Sequence, residues 1–262
     1  MISAETLPKF RKPPISEVVC GIVFAPLPVD PVVLGPYCRS KKSAFPKHQI
    51  QPALEDAPVG LPQFVFGAGV PRLRTWLISA NDSFVLQAQH DRFYLNWRRV
   101  DADDVKYPRF NDTNGAAGLL TRALSEFDEF SEFCQGAIGA RPEPIRIELA
   151  KVDQFVEGRD WKGVSDLGQM IPSLGPLVDF ATSEGPAISF SFMEPRGAGM
   201  LAVSFQAALM SGPRVVKLET RTSLQTDSSK EGVKRAFQEA NKELNQAFGR
   251  LIPSNEQDRR FQ

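Results

Sequence analysis

Two stretches of the chain decide its fold: PPISEVVCGIVF at residues 13–24 and PEPIRIELAKVDQF at residues 142–155. Both begin with prolines, which favour an extended backbone because the ring fixes φ at about −65° and restricts the preceding residue. Branched aliphatic residues, which are typical of β-strands, follow the prolines in both stretches. We therefore predict two equivalent strands, at residues 17–25 and 145–155, one in each half of the chain.

The first half continues with a short helix and a group of strands. Pro31 is suited to the first turn of a helix over residues 31–42, and the prolines within residues 45–60 predict a surface loop. Polar turns then separate four segments that are rich in aromatic and branched residues, which predicts an antiparallel meander of strands at residues 63–66, 73–79, 83–89 and 93–99. Apolar residues at steps of three or four predict a long helix from Leu120 to Ile138.

The second half repeats this order. An ambiguous stretch around Trp161–Ile171 takes the place of the short helix, and a second group of strands is predicted at residues 187–193, 200–209 and 214–222. A final long helix is predicted to begin at a capping box formed by Ser228 and Glu231. The polar residues 255–262 are predicted to form a frayed tail.

Each half thus contains a strand, a short helix, an antiparallel meander and a long helix. Because each long helix must bury its apolar stripe against a sheet, we predict an α+β protein in which two units, residues 1–140 and 141–262, pack as one globular body. The expected sheet is curved and antiparallel, with about seven or eight strands and with helices on one face. This order of elements resembles helix-grip folds and TATA-binding-protein-like folds.

Charge and composition restrict the partners. Lysine plus arginine and aspartate plus glutamate both number 31, so the formal net charge is zero and no long-range field attracts nucleic acid or an anionic membrane. No segment reaches the ~18 apolar residues of a membrane span, and the N-terminal residues lack the pattern of a signal peptide. The cysteines are odd in number and form no CxxC pair, which indicates a reducing compartment. We expect a cytoplasmic protein with no membrane partner, and nucleic acid is not the favoured partner.

Motifs for catalysis, cofactors or metals are absent from the sequence. It contains no phosphate-binding glycine loop after a strand, no HExxH and no GxSxG. His90 beside Asp91 could form an acid–base pair, but a polar hairpin turn is the better interpretation because neighbouring residues of a strand point to opposite faces. We therefore predict a non-catalytic protein without a cofactor or a metal site.

Three carboxylates lie within predicted strands: Glu17, Glu148 and Glu219. If they are buried, they need a cation or hydrogen-bond partner, and the obvious partners are Arg92, Arg146 and Arg221. Alternatively, all three occupy the solvent side of a half-exposed sheet, which is the interpretation that strand alternation favours.

The meander between residues 76 and 98 is the strongest candidate for a binding surface. It combines aromatic residues with arginine and amide side chains, a mixture that is typical of protein interfaces and of ligand cavities. The alternative is a core face with an ordinary polar face opposite it. The candidate binding residues are Trp76, Gln87, Gln89, Asp91, Arg92, Tyr94, Asn96, Trp97 and Arg98.

Three segments suggest a family: residues 13–24, residues 86–98 (LQAQHDRFYLNWR) and residues 107–109 (YPR). They resemble a sporadically distributed family of bacterial proteins of about this length that has no established activity. The resemblance covers nearly the whole chain and departs at residues 149–154, where relatives carry Tyr-x-Asn and this chain has Lys151-Val152-Asp153. The patchy distribution implies a link to mobile or defence genes, such as immunity, antitoxin or antiphage components.

These observations rank three functions. The first is a non-catalytic protein-binding subunit, such as a bacterial defence, antitoxin or immunity component, that uses the meander or the open face of the sheet. The second is a sensor of a small ligand or nucleotide that binds between the sheet and the long helices. The third is a nucleic-acid-binding accessory subunit that acts through a local basic patch.

Overall fold

The computed structural model describes residues 10, 13–54, 72–100, 107–112, 116–174, 189–196, 199–208 and 214–261. The first half of the chain forms β1 (Ile15–Phe24), α1 (Gly35–Ser40), β2 (Lys47–Pro52), β3 (Leu73–Ile78), β4 (Phe84–Ala88), β5 (Arg92–Arg98) and α2 (Leu119–Ile138). The second half forms β6 (Pro144–Val156), α3 (Gly163–Met170), a 3-10 turn (Pro172–Leu174), β7 (Ser189–Arg196), β8 (Gly199–Ala208), β9 (Val215–Gln225), α4 (Lys230–Leu251) and α5 (Ser254–Phe261).

The described strands form one open, curled sheet of nine strands in the order β2-β3-β4-β5-β1-β6-β9-β8-β7. All neighbouring strands are antiparallel. In each half, the first strand pairs with the last strand of its own meander. The two first strands also pair with each other at the centre of the sheet, where Cys20 lies opposite Leu149. The predicted α+β fold, a curved antiparallel sheet with helices packed against it, is therefore confirmed.

One face of the sheet is covered by the long helices. Helix α2 packs against β1 and β5, while α4 packs against β6 and β9. Alternate residues of the central strands, such as Ile22 and Ile147, point towards these helices and are almost fully buried. On α2, the ring of Phe130 stacks on Phe93 of β5 with 5.0 Å between the ring centroids. Burial of one such phenylalanine stabilises the fold by roughly 1.5–3 kcal/mol.

The sequence predicts a loop over residues 45–60, but Lys47–Pro52 forms the edge strand β2. Pro52 does not prevent the pairing of β2, because an edge strand tolerates proline and Pro52 is the last residue of the strand. The residues of β2 pair with β3, with Lys47 opposite Ile78. Most side chains of β2 are exposed, so the strand lacks the apolar alternation that reveals a half-buried strand.

The start of α4 differs from the predicted capping box. The side chain of Ser229, and not that of Ser228, accepts a hydrogen bond from the amide of Gly232 at 3.0 Å. Glu231 is the second residue of the helix, so it does not occupy the third position that a capping box requires. The apolar stripe itself is buried as the periodicity predicts, with Phe237 and Leu244 fully inaccessible.

The C-terminal residues do not form a frayed tail. Residues Ser254–Phe261 form helix α5, and the side chain of Phe261 is fully buried. Its ring lies against Phe10 and Phe155, with centroid distances of 5.5 and 5.9 Å. Arg260 fixes the same helix to α3 through a 2.6 Å ion pair with Asp166. One aromatic anchor and the ion pairs of Arg259 and Arg260 with Asp166 therefore dock a segment whose composition is otherwise polar.

Two further predictions concern element boundaries. The strand predicted at residues 63–66 lies outside the described residues, and the helix predicted at residues 31–42 is shorter, with a turn before α1. Among the described helices, none has both the length and the apolar character needed to cross a membrane.

Candidate functional site

The face of the sheet opposite the helices carries a half-open concavity of about 320 Å³. Its floor is built by residues that alternate with core residues on strands β3, β4, β5, β1, β6 and β9. The lining includes three arginines and three glutamates: Arg74, Arg98, Arg221, Glu17, Glu148 and Glu219. It also includes the neutral groups Trp76, Gln87, Tyr94 and Asn96. The site is therefore polar and carries both signs of charge.

A glycine places the tyrosine of this site. Gly21 of β1 pairs with Tyr94 of β5 on one side and with Glu148 of β6 on the other. A Cβ atom on Gly21 would lie only 2.2 Å from Cε1 of Tyr94, so the phenol ring lies directly over this residue. The hydroxyl group of Tyr94 thereby reaches across β1 and donates to Oε2 of Glu148 at 2.7 Å.

The carboxylate of Glu148 is held from a second direction. Arg146 donates to its Oε1 atom at 3.1 Å. Burial raises the pKa of the Tyr94 phenol, and the charge of Glu148 raises it further. The phenol therefore stays protonated at neutral pH and acts as a fixed hydrogen-bond donor.

A second hydrogen-bond chain crosses four strands of the floor. Arg74 on β3 donates to the side-chain oxygen of Gln87 on β4 at 2.9 Å. Gln87 donates to Asn96 on β5 at 3.1 Å, and Asn96 donates to Glu17 on β1 at 2.9 Å. Each amide both accepts and donates, so the chain runs in one direction from a guanidinium to a carboxylate. The floor is therefore ordered before any ligand binds.

Arg74 and Trp76 form the end of this chain on β3. The guanidinium of Arg74 lies over the indole ring, with 5.1 Å between its central carbon and the ring centroid. Nε of Arg74 and Nε1 of Trp76 are both buried, and neither has a hydrogen-bond partner among the described residues. Burial lowers the pKa of Arg74. The β3 side of the concavity thus offers two donors that have no acceptor.

The structure brings together five of the nine candidate residues: Trp76, Gln87, Tyr94, Asn96 and Arg98. Trp97 does not belong to the site, because it is the neighbour of Asn96 on β5 and points into the helix-covered core, where it is 5% exposed. Gln89, Asp91 and Arg92 lie at the turn between β4 and β5. There Asp91 accepts hydrogen bonds from Gln89 at 2.6 Å and from Arg92 at 3.1 Å.

His90 lies in the same turn, as the sequence predicts. Its Nε2 atom is 2.7 Å from a guanidinium nitrogen of Arg72, and burial lowers the pKa of the imidazole. The ring is therefore neutral at pH 7. Its Nδ1 atom lies 3.6 Å from Asp91, which is too far for a strong hydrogen bond.

The three strand carboxylates all lie on the open face and are half-buried, as strand alternation favours. Two of them pair with the arginines that the sequence suggests, since Glu148 contacts Arg146 and Glu219 contacts Arg221 at 2.9 Å. Arg74 is not among the nine candidate residues. Its spacing of two residues from Trp76 on one strand was the available signal, because such residues share a face.

Lys151 and Asp153, where the chain departs from the family that it resembles, face the helices rather than the concavity. Nζ of Lys151 donates to Asn245 on α4 at 2.6 Å. Burial lowers the pKa of Lys151 to about 8 and raises the pKa of Asp153 to about 7. These residues therefore form a polar contact between sheet and helix, separate from the site on the open face.

Among the described residues, no group of three or more histidine, cysteine, aspartate or glutamate side chains could hold a metal ion. No protein-family model matches the chain, and no curated protein matches it significantly. The family resemblance of residues 13–24 and 86–98 therefore stays a prediction.

Proposed function

We propose that this chain is a non-catalytic protein-binding subunit whose concavity on the open sheet face binds an extended segment of a partner protein. The observation that carries the proposal is the ordered floor, on which hydrogen bonds hold Gln87, Asn96 and Tyr94 in place. Side chains that are fixed before binding lose little entropy when a partner binds. Tryptophan, tyrosine and arginine are also the residues that contribute most to binding at protein interfaces.

A non-catalytic role is supported by the composition of the site. The lining residues that the structure describes include no histidine, cysteine, serine or lysine. The carboxylates of Glu17 and Glu148 already accept hydrogen bonds from Asn96 and Tyr94. Tyr94 carries the one hydroxyl group among the described lining residues, and burial together with the charge of Glu148 raises the pKa of this phenol and keeps it protonated. The described part of the site therefore holds no activated hydroxyl or thiol nucleophile.

A protein partner fits the charges of the concavity better than nucleic acid does. Three glutamates line the site together with three arginines, so a chain of phosphates would be repelled as strongly as it is attracted. A polypeptide carries both signs of charge within a few residues and can match such a surface. From the family resemblance alone, we also propose that the subunit acts in the bacterial cytoplasm as a defence, antitoxin or immunity component.

A small-ligand sensor is the second candidate. The volume of about 320 Å³ falls within the range of roughly 300–1,000 Å³ that is usual for small-molecule sites. In this case the ligand would bind on the open face, and not between the sheet and the helices. Thermal denaturation with a panel of metabolites and nucleotides tests it, since a ligand at 100 times its dissociation constant adds roughly 2.7 kcal/mol of stability.

Affinity capture from the native lysate, with and without nuclease, tests the proposed function. The test variant is Val152→Arg, because Val152 lines the concavity and a long cationic side chain would fill it. The control variant is Val32→Arg, because Val32 is 83% exposed in a turn outside the site. We expect a stoichiometric protein that survives nuclease treatment, binds wild type and the control, and is lost with Val152→Arg. A partner that binds both variants equally would rule out the open face.

A further inference from the structure

We propose that Arg74, stacked on Trp76, is the anchor of the concavity and binds the carboxylate of an aspartate or glutamate side chain in the partner segment. This inference rests on the proposed function and names the chemistry that the partner must present. It starts from one observation: among the described residues, the half-buried guanidinium of Arg74 contacts only neutral groups, Gln87 and the ring of Trp76.

Arg74 has no carboxylate partner within the described chain, although it lines a concavity that contains three glutamates. Four other buried or half-buried arginines form ion pairs with a carboxylate: Arg92 with Asp91, Arg146 with Glu148, Arg214 with Glu157, and Arg260 with Asp166. Arg122, which also has no ion pair among the described residues, lies outside the concavity with its guanidinium over the ring of Phe84. A cation that leaves water is costly unless an anion compensates it. Gln87 and the ring of Trp76 satisfy Arg74 only in part, because both are neutral. An anion supplied from outside the chain would complete the pairing.

The geometry of the unsatisfied donors fits one carboxylate. Nη1 of Arg74 is engaged by Gln87, so the edge formed by Nε and Nη2 remains for a ligand. This edge presents two parallel N–H groups, which is the arrangement that binds a carboxylate in a fork. A carboxylate can accept about four hydrogen bonds, so its second oxygen can also accept from Nε1 of Trp76.

Access to these donors requires a small rearrangement. Nε of Arg74 and Nε1 of Trp76 are both shielded from water in the unliganded protein. A carboxylate can reach them only if the guanidinium shifts on the indole ring. Binding should therefore change the surroundings of Trp76, and the indole N–H should report the event directly.

The charges on the rest of the lining favour a single carboxylate over a phosphate. Glu17, at the far end of the hydrogen-bond chain, and Glu219 belong to the same concavity. These groups oppose a multiply charged anion more strongly than a singly charged one. They also suit a basic residue next to the acidic residue in the partner segment.

The test uses nuclear magnetic resonance of the full chain with ¹⁵N-labelled tryptophan. The chain has three tryptophans, so three indole signals are expected, and Trp76→Phe identifies the one from Trp76. The probe is N-acetyl-glutamate N-methylamide, and the matching neutral compound is N-acetyl-glutamine N-methylamide. We expect the Trp76 signal to shift saturably with the glutamate compound and not with the glutamine compound.

Two variants distinguish binding at Arg74 from a general effect of removing an arginine. Arg74→Gln should weaken binding of the glutamate compound by about tenfold or more, because a charge-assisted hydrogen-bond pair is lost. Arg122→Gln should change it by less than about twofold, since Arg122 is also half-buried but lies on helix α2, outside the concavity, with its guanidinium over the ring of Phe84. Unchanged indole signals from Trp97 and Trp161 show that each variant is folded.

Three outcomes would overturn the inference. An equal shift with inorganic phosphate would show a general anion site, and equal shifts with the glutamine compound would show that charge is not recognised. The third is capture of the partner by Arg74→Gln as efficiently as by wild type, while Val152→Arg loses it. In that third case the open face is the binding surface and the proposed function stands, but Arg74 is not its anchor.

Discussion

The ring of Tyr94 lies over Gly21, and this contact allows the tyrosine to bond with a carboxylate two strands away. No other residue at position 21 leaves the ring in place, because a Cβ atom would lie 2.2 Å from Cε1 of Tyr94. The glycine is needed here for close approach across the sheet and not for a turn. The absence of a side chain at position 21 therefore determines where Tyr94 lies in the floor of the site.

Replacing Gly21 with alanine tests this contact. The methyl group should push the ring of Tyr94 away from β1 and break its hydrogen bond to Glu148. We expect a loss of about 1–3 kcal/mol in the free energy of unfolding, measured with urea. Gly136→Ala is the control, because nothing lies within 4 Å of the added Cβ on α2 and alanine stabilises a helix by up to about 1 kcal/mol. Equal stability of Gly21→Ala and wild type would contradict the packing.

Asp153 should make stability depend on pH. Burial raises its pKa in the folded protein from 3.8 to about 7. The stabilising contribution of a group whose pKa rises on folding is complete below the unfolded pKa and is lost as the pH rises through the folded pKa. Wild type should therefore lose stability relative to Asp153→Asn between about pH 4 and pH 7. Urea unfolding of both proteins at several pH values measures this, and a constant difference would mean that Asp153 is not buried as a carboxyl group.

The two neighbouring serines before α4 make a matched pair. Ser229 caps the helix through the amide of Gly232, whereas Ser228 does not. Ser229→Ala should lower the free energy of unfolding by about 1 kcal/mol, and Ser228→Ala should leave it nearly unchanged. Thermal and urea denaturation of the two variants decide between the observed cap and the one predicted from the sequence. A larger loss of stability in Ser228→Ala than in Ser229→Ala would instead support the predicted capping box of Ser228 and Glu231.

Phe261 should control the docking of α5. Removal of a fully buried phenylalanine side chain costs about 3–5 kcal/mol when the whole protein must absorb the loss. Here α5 can undock locally, which limits the global cost to the docking free energy of the helix. We therefore expect Phe261→Ala to increase the rate of tryptic cleavage after Arg259 and Arg260 more than it lowers global stability. Val32→Ala, at an exposed residue, should leave the cleavage rate unchanged.

The duplicated fold was accessible from sequence because its signals are periodic and occur twice. The long helices and most strands are half-buried, so apolar residues recur at the spacing of their structure. The edge strand β2 and helix α5 were not found, because β2 is largely exposed and α5 is anchored by one aromatic residue. A segment that contributes little to the core carries little periodic signal.

The site was predicted in part, for reasons that differ between residues. Tyr94 and Asn96 line the concavity, in line with the clustering of aromatic and amide side chains on the meander, whereas Trp97 faces the helices because neighbours on a strand point to opposite faces. Gln89 was placed with them although it lies at the turn. Arg74 could not be singled out, because its place in the concavity and its lack of a carboxylate partner in the described chain are visible only when the side chains are positioned in space.

The pairing of β1 with β6 also bears on how the first half of the chain would behave by itself. In a fragment of residues 1–140, the apolar strand β1 would lose β6 and present a bare edge, and bare edges recruit other strands. The missing neighbour is antiparallel and meets β1 around Cys20, so a second copy of β1 can supply it by two-fold symmetry. We therefore expect this fragment to assemble as a homodimer. Such a dimer would reproduce the antiparallel pair at the centre of the full sheet, with Cys20 of the second copy taking a place near that of Leu149.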